Sequence, residues 1–348
     1  MRMCAGRSAF RTGHGLARAR TSLPARADEF SDPVTSRTVE PGCPSAPARS
    51  LAVYSHEAPP VDVQRLSKRK ALYMIAAIMS ATVQNGTGRL GAVRRRGVKW
   101  VGKRLTRALD RFYASQSLVG DPPVFASETF PFLRRLEAEW RTILAELELI
   151  LAHREHIPPF HAISPDQQRI SKGEQWRTFF LYGFGIRSER NCRQCPQTAR
   201  LLGTIPHLRT AWFSILEPDS HIPAHHGPTK GVIVFHLPLI VPAEREKCFI
   251  RVADHIHHWT LNEAFAFDDT YEHEVRNATS QQRVVLIFHA DRPMRWPGRT
   301  VNRAFQAVVR RSAYIQDPLR NLADWADRFE KAIARRQAAD EAGGRADS

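Results

Sequence analysis

Three residues in the middle of the chain have types and spacing that could do redox chemistry. His225 and His273 lie 48 positions apart, and Arg283 follows the second by ten. Around them, short apolar runs alternate with polar loops, the pattern of β-strands. A neutral imidazole is a donor of intermediate softness that suits Fe(II), and a guanidinium fork suits a carboxylate. Two such histidines brought together from separate strands could hold a redox-active metal, and an arginine nearby could hold an anionic co-substrate.

The flanking text is specific. His225 is preceded by Glu217-Pro218-Asp219-Ser220-His221-Ile222-Pro223-Ala224, which follows the apolar run 212–216. His273 ends Phe267-Asp268-Asp269-Thr270-Tyr271-Glu272-His273 and is followed by Glu274-Val275. Here the chain resembles the aspartyl/asparaginyl β-hydroxylase family of Fe(II)/2-oxoglutarate dioxygenases, and within it the bacterial branch that includes the lipid A 2-hydroxylases. The resemblance covers roughly residues 120–305 and is densest over 214–294. It implies a mainly β fold, a double-stranded β-helix of the jelly-roll or cupin kind with flanking α-helices. It implies that His225 and His273 ligate iron and that Arg283 pairs with the distal carboxylate of 2-oxoglutarate. Ser214 would hydrogen-bond that same carboxylate, and His236 would lie near the iron-chelating end of the co-substrate. The implied reaction consumes O2, converts 2-oxoglutarate to succinate and CO2, and hydroxylates an unactivated C–H bond.

Two positions depart from the family pattern. Many relatives carry His-x-Asp at the first ligand, the Asp completing a facial triad, but the third position here is Gly227. The protein-hydroxylating branch has the same gap, with water in place of the carboxylate, whereas lipid-hydroxylating relatives tend to keep the Asp. Family members also place an Arg two residues before the histidine that matches His236. This chain has Val234, which removes a cation from the site wall. Asp268 and Asp269 are expected to assist by orienting a ligating histidine, a common task for carboxylates beside metal-bound imidazole. Gly227 and Val234 together also admit a rival reading, a non-catalytic jelly-roll protein that binds a metal or an organic acid.

Ten of the fifteen histidines fall between His207 and His289, so chance pairs are easy to find. Ordinary core or surface roles for His225 and His273 are opposed by the matching text around both. His236 alternates with Phe235 and Leu237 and reads equally well as a buried strand residue. His221, His226, His255, His257 and His258 are read as non-ligands, His226 because successive strand side chains point to opposite faces. Cys192-Arg193-Gln194-Cys195 has no second pair to complete a zinc site. Cys195-Pro196-Gln197-Thr198 is similar to a helix start in the bacterial branch, so a structural role is expected. With Cys4, Cys43 and Cys248 the cysteines number five, too sparse and too odd for a disulfide framework. A reducing, cytoplasmic setting is expected.

The net charge of +16 is concentrated at the front. Residues 1–60 contribute +3 and residues 61–115 contribute +11, leaving +2 for the rest. A nucleic-acid partner for the core is therefore not indicated. Residues 1–60 read as a disordered N-terminal extension, rich in Arg, Ser, Ala and Pro without hydrophobic period. They lack the apolar core of a secretory signal. Residues 61–118 are a basic helical region. Within it, 93–113 sets Val98, Val101, Leu105, Ala108 and Phe112 on one side and Arg96, Lys99, Lys103, Arg107 and Arg111 on another. Such a basic amphipathic helix either lies on an anionic membrane surface, here the inner face, or packs on the core with its basic face solvated. No uninterrupted apolar run of about 18 residues predicts a transmembrane span.

Residues 119–305 are the jelly-roll domain with a helical lead-in, and 306–348 form a C-terminal helical tail. Helices are expected over 130–153, 196–202 and 320–339. Strands are expected over 177–182, 210–216, 232–240, 248–252, 264–267, 274–277 and 284–289. The substrate is read as a peptide aspartyl or asparaginyl side chain, a membrane-lipid acyl chain or a small molecule. Gly227 favours the peptide. The basic front favours the lipid, as do Asp291-Arg292-Pro293-Met294-Arg295-Trp296 and Val301-Asn302-Arg303, which are similar to the lipid-hydroxylating relatives.

Overall fold

The computed structural model describes residues 106–344. Eleven strands among them are numbered in chain order: β1 (Val124–Phe125), β2 (Trp176–Gly183), β3 (Ile186–Arg187), β4 (Leu208–Leu216), β5 (Ser220–His225), β6 (Val232–Ile240), β7 (Cys248–Val252), β8 (His255–His258), β9 (Phe265–Phe267), β10 (His273–Asn277) and β11 (Arg283–Asp291). A seven-stranded sheet in the order β1-β9-β6-β11-β4-β2-β3 faces a four-stranded sheet in the order β5-β10-β7-β8. Every pairing is antiparallel. From β4 to β11 the chain passes back and forth between the sheets, which winds it into a double-stranded β-helix. The fold is a jelly roll with flanking helices.

The central strands β4, β6 and β11 are buried at nearly every position because both of their faces are covered, and most of their residues are apolar. On the outer face Phe213, Phe235, Leu286 and Phe288 pack with Leu133, Leu136, Ile143 and Leu147, and Phe235 stacks on Phe288 at 4.9 Å. On the inner face Trp212, Val234, Val285 and Ile287 pack with Ile250 and Val275 of the smaller sheet. The period of two then sends Ser214, His236 and Arg283 to the inner face, inside the barrel.

The expected strands appear as β2, β4, β6, β7, β9, β10 and β11, with ends moved by one or two residues. β1, β3, β5 and β8 lie outside the expected ranges. All four are sheet edges; β1 and β3 are two residues long, and in β5 and β8 half-exposed positions leave no clean apolar alternation and Pro223 is tolerated.

The expected helix over 130–153 is two helices, Leu133–Ala138 and Trp140–Leu151, separated at Glu139 (φ −102°, ψ 14°). The second carries Glu146, whose buried carboxylate accepts from the backbone N–H groups of Gln197 and Thr198 (2.7 Å each) and from the Thr198 hydroxyl (2.6 Å). It satisfies the orphan donors at the start of the helix Pro196–Leu202. Cys192 and Cys195 beside it are buried free thiols.

Two helices follow the barrel. Trp296–Val309 was not anticipated and runs through residue 305 without a break, and Ala313–Gly344 passes through Pro318. In the latter, Phe329 meets Phe179 edge-on at 4.9 Å, and Arg190 pairs with Asp327 and Glu330 at 2.8 and 2.7 Å. Residues 106–116 are helical, with Leu109 and Tyr113 buried against Met294 beside Val301 and Phe305, while Arg107 and Arg111 stay exposed. The described end of the basic helix therefore packs on the core through Leu109 and Tyr113. Residues 93–105 of that helix and the 1–60 extension lie outside the described residues. No described helix is long and apolar enough to cross a membrane.

Removing the Glu146 carboxylate leaves three donors without an acceptor inside the helical layer. Glu146→Ala is expected to lower unfolding stability by about 2–4 kcal/mol and Glu146→Gln by less, measured as urea-unfolding midpoints.

Candidate active site

His225 ends β5 and His273 begins β10, and antiparallel pairing sets them directly opposite. Their ring centroids are 4.1 Å apart, inclined at 52°. A β-bulge makes this possible. Ile222 opposes Val275, so a regular ladder would bring Ala224 opposite His273. The extra residue in Pro223-Ala224 advances β5 by one, so that His225 stands there and Ala224 turns out to solvent.

Nδ1 of His225 lies 2.8 Å from the Pro223 carbonyl, and Nδ1 of His273 lies 3.0 Å from the Tyr271 carbonyl. A carbonyl only accepts, so each Nδ1 carries the proton and each Nε2 keeps a free lone pair. A backbone carbonyl holding the far nitrogen is how metal-ligating histidines are commonly oriented. Burial pushes both pKa values down, that of His273 to about 3 with the neighbouring His225 adding to the effect. Both rings are therefore neutral near pH 7, the form that binds a metal. Among the described residues no group of three or more His, Cys, Asp or Glu could hold a metal ion. The pair fits a metal that keeps several positions open.

The sequence gap at Gly227 is filled in space. The Gly227 N–H donates to the Asp269 carbonyl at 2.6 Å. A Cβ built on Gly227 would overlap the Asp269 carboxylate. A carboxylate from the β9–β10 loop thus occupies the volume into which a residue-227 side chain would project. Burial and the adjacent Asp268 raise the Asp269 pKa to about 7, and its Oδ1 has no hydrogen-bond partner. Asp268 corrects the expectation placed on it. It is fully buried and committed to Arg292, to Lys230 (2.9 Å) and to Thr270 (backbone N–H 2.9 Å, hydroxyl 2.6 Å), so no lone pair remains to orient a histidine.

Arg283, the first residue of β11, is 1% exposed and has no carboxylate partner among the described residues. Its Nε is unpaired, its Nη1 lies 3.4 Å from the Ser214 carbonyl and 3.5 Å from Ser214 Oγ, and its guanidinium sits 4.6 Å over the Trp259 ring. Burial lowers its pKa to about 10, which leaves it charged at pH 7. An uncompensated buried cation costs several kcal/mol, and a carboxylate in the adjoining space would relieve it through paired hydrogen bonds. Trp176 donates to Ser214 Oγ at 3.0 Å. The Trp259 N–H donates to His236 Nδ1 at 3.3 Å, so the His236 proton sits on Nε2. Burial, followed by the charge of Arg283, holds His236 well below its usual pKa.

All five candidates, His225, His273, Ser214, His236 and Arg283, line one cavity of about 290 Å³, together with Asp269. It extends along the inner faces of β4 and β11 past Trp212 and Ile287 to Thr210 and His289, and Val309, Ile315, Leu319 and Leu322 from the C-terminal helices close over it. Sequence reasoning missed Trp176, Trp259 and His289. His289 shares its strand parity with Arg283, a signal that was there to use. Trp259 lies between β8 and β9, where no periodicity points. Of the remaining histidines, His226 is exposed at the cavity rim and turns Nδ1–H to the Thr270 carbonyl at 3.0 Å. His221 pairs with Glu274 and His257 stacks on Phe265, both away from the cavity.

The sequence profile described as Aspartyl/Asparaginyl beta-hydroxylase matches residues 137–293, a span that contains all five candidates. A Rhizobium tropici protein named ornithine lipid ester-linked acyl 2-hydroxylase is 43% identical over 211 residues, 61% of this chain and 75% of that protein. The chain belongs to the aspartyl/asparaginyl β-hydroxylase family. The human aspartyl/asparaginyl beta-hydroxylase is 29% identical over 160 residues, 44% of this chain, which spans 20% of that longer protein. Among solved structures, a Burkholderia pseudomallei oxidoreductase of the 2OG-Fe(II) oxygenase family overlaps at a TM-score of 0.28 with 13% identity, over 34% of this chain and 66% of that one.

Two measurements check this geometry. Gly227→Ala is expected to cost about 1–3 kcal/mol through overlap with Asp269, and adding Asp269→Gly should recover part of the loss in urea unfolding. The second concerns acid. Between about pH 6.5 and about pH 3 the unfolded chain protonates residue 273 while the native protein does not. Metal-free stability should therefore fall as pH drops through that window. His273→Phe should flatten the slope of urea midpoint against pH.

Proposed function

We propose that this family member is an Fe(II)- and 2-oxoglutarate-dependent hydroxylase acting on the acyl chain of a membrane lipid. The observation that carries the reading is the pairing of two neutral imidazoles, each with a free Nε2, with a buried arginine that has no anionic partner among the described residues. His225 and His273 would hold the iron. Iron bound there supplies the O2 chemistry, in which 2-oxoglutarate becomes succinate and CO2 while an unactivated C–H bond gains a hydroxyl. Arg283 would grip the distal carboxylate of 2-oxoglutarate, and the Ser214 hydroxyl, already accepting from Trp176, would donate its proton to the same group. The Nε2–H of His236 would donate to the opposite end of the co-substrate. Trp259 holds both Arg283 and His236 and so fixes their separation. The apolar walls exclude water from the reacting bond.

The cavity favours an acyl chain over an aspartyl side chain. Past His236 its walls include Phe180, Val232, Val234, Val309, Leu319 and Leu322. Arg283 and Arg209 are the arginines among the lining residues, and no lysine joins them. Arg209 is already neutralised by Asp291 through two 2.6 Å hydrogen bonds. Inside this chamber an aspartyl carboxylate would find no free cation besides the Arg283 taken by the co-substrate, whereas an alkyl chain needs none. The Rhizobium tropici relative supports the same substrate class. The non-catalytic reading rested on Gly227 and Val234, and the apolar use of Val234 in the chamber wall weakens it. We place the protein in the cytoplasm, peripheral to the inner membrane face, with the exposed Arg107 and Arg111 turned to anionic lipid.

The test is to load the protein with Fe(II) without oxygen, then add O2, 2-oxoglutarate and extracted bacterial lipid. Succinate and the gain of one oxygen on the lipid are then measured. Both products should disappear in His225→Ala and His273→Ala. In Arg283→Ala the KM for 2-oxoglutarate should rise about 100-fold. Wild-type protein that binds neither iron nor 2-oxoglutarate would sink the proposal.

A further inference from the structure

A second cavity, of about 170 Å³, adjoins the one that holds the candidate site. Phe184, Arg209, Gln306, Val309 and Ile315 line both, so the two share a wall. The rest of the second cavity's lining includes Arg303 and Arg310, and no Asp or Glu contributes to it. Its chemistry is the reverse of its neighbour's, since one chamber is mostly apolar and the other is cationic.

The sequence explains the lining. In and just beyond the helix Trp296–Val309, positions 303, 306 and 310 recur at steps of three and four and so share one face. Ala307 on that face is small and keeps the space open. The helix is anchored from another side, where Val301 and Phe305 pack against Leu109 and Tyr113. Arg303 and Arg310 are thereby held over the cavity by the fold.

Arg209 is held in place by Asp291, which also cancels its charge. Arg303 and Arg310 are exposed and form no ion pair with any described residue. Unneutralised guanidinium groups lining one concave space create a field that attracts an anion. Their planar forks match a phosphate or carboxylate better than a single point charge does.

The position of this cavity suits an amphiphile. On β4, Arg209 and Ser214 are five residues apart, about 17 Å in an extended strand. The Arg283–Ser214 end and the cationic cavity thus lie toward opposite ends of one passage. The row of His236, Ile287 and Trp212 in register across β6, β11 and β4 lies between them. An acyl chain in the apolar chamber would have its polar end within reach of Arg303 and Arg310.

We infer that the cavity formed by Arg209, Arg303, Gln306 and Arg310 binds the anionic group, phosphate or carboxylate, of the lipid whose acyl chain enters the neighbouring apolar chamber. This inference rests on the acyl-chain reading given above.

The test is binding by calorimetry to the full-length protein, with three probes: monomeric dihexanoyl phosphatidylglycerol, uncharged dihexanoylglycerol and inorganic phosphate. Wild type should prefer the anionic lipid over the uncharged one by roughly tenfold or more, and raised salt should shrink the preference. In Arg303→Ala/Arg310→Ala the preference should fall toward one, and Arg303→Lys/Arg310→Lys should restore part of it. General damage to the fold would weaken both lipids alike and leave the ratio intact, which would overturn the inference. Equal wild-type affinity for the two lipids would overturn it as well. So would phosphate binding as tightly as the anionic lipid, because the site would then serve a free anion. A preserved preference without any succinate or lipid hydroxylation would support the anion site while the dioxygenase reading fell. Hydroxylation of the lipid without a charge preference would do the opposite.

Discussion

The meeting of the two histidines depends on one irregular strand pairing. β5 and β10 would bring Ala224 opposite His273 if they met in a regular ladder, and His225 would face solvent. The bulge at Pro223-Ala224 reverses that parity. It also delivers the Pro223 carbonyl to His225 Nδ1, so the same irregularity that aims the ring fixes its tautomer. β5 is an edge strand of the smaller sheet, where a bulge disturbs one ladder and not two. Two rings 48 residues apart in sequence meet at 4.1 Å because one edge strand is a residue longer than its partner requires.

The second constraint is electrostatic. Arg283 is buried with a full charge and no counter-ion among the described residues, beneath an aromatic face that gives it partial compensation. Trp259 supplies that face and also donates to His236, so one side chain sets both the cation and the neutral donor of the inner wall. The other polar groups beside Arg283 are the Ser214 hydroxyl, held by Trp176, and the Cys248 thiol. This arrangement leaves the arginine held in place and unsatisfied, the condition in which a carboxylate ligand gains the most.

The third is steric complementarity between two loops. Gly227 and Asp269 share a volume that admits one side chain, and the backbone hydrogen bond between them holds the loops at that distance. A carboxylate of the second histidine motif therefore fills the space beside the first, without forming a three-residue metal site with the two histidines. Asp268, its neighbour in sequence, is drawn the other way by Arg292 and Lys230 into a buried network that ties β9 and the following loop to the segment before β1. Adjacent residues of the same type thus have opposite tasks, decided by which cations lie within reach.

The sequence by itself determined the large sheet, because β4, β6 and β11 are apolar on both faces and their period of two states which residues point inward. Its long flanks around both histidines carried the family resemblance that named His225, His273, Ser214 and Arg283 as candidates, while His236 read equally well as an ordinary buried strand residue. The sequence left the edge strands β5 and β8 illegible, since half-solvated edges have no hydrophobic period. It also left Trp259 and Trp176 unremarked, since a tryptophan that orients another side chain has the same composition signature as one that merely fills a core. Only the tertiary structure decided that His225 faces inward, that Asp269 occupies the place of the missing side chain, and that Arg303 and Arg310 border an apolar chamber. The physical reason is common to all three. Each depends on contacts between segments far apart in sequence, and local periodicity carries no information about which distant segment will be met.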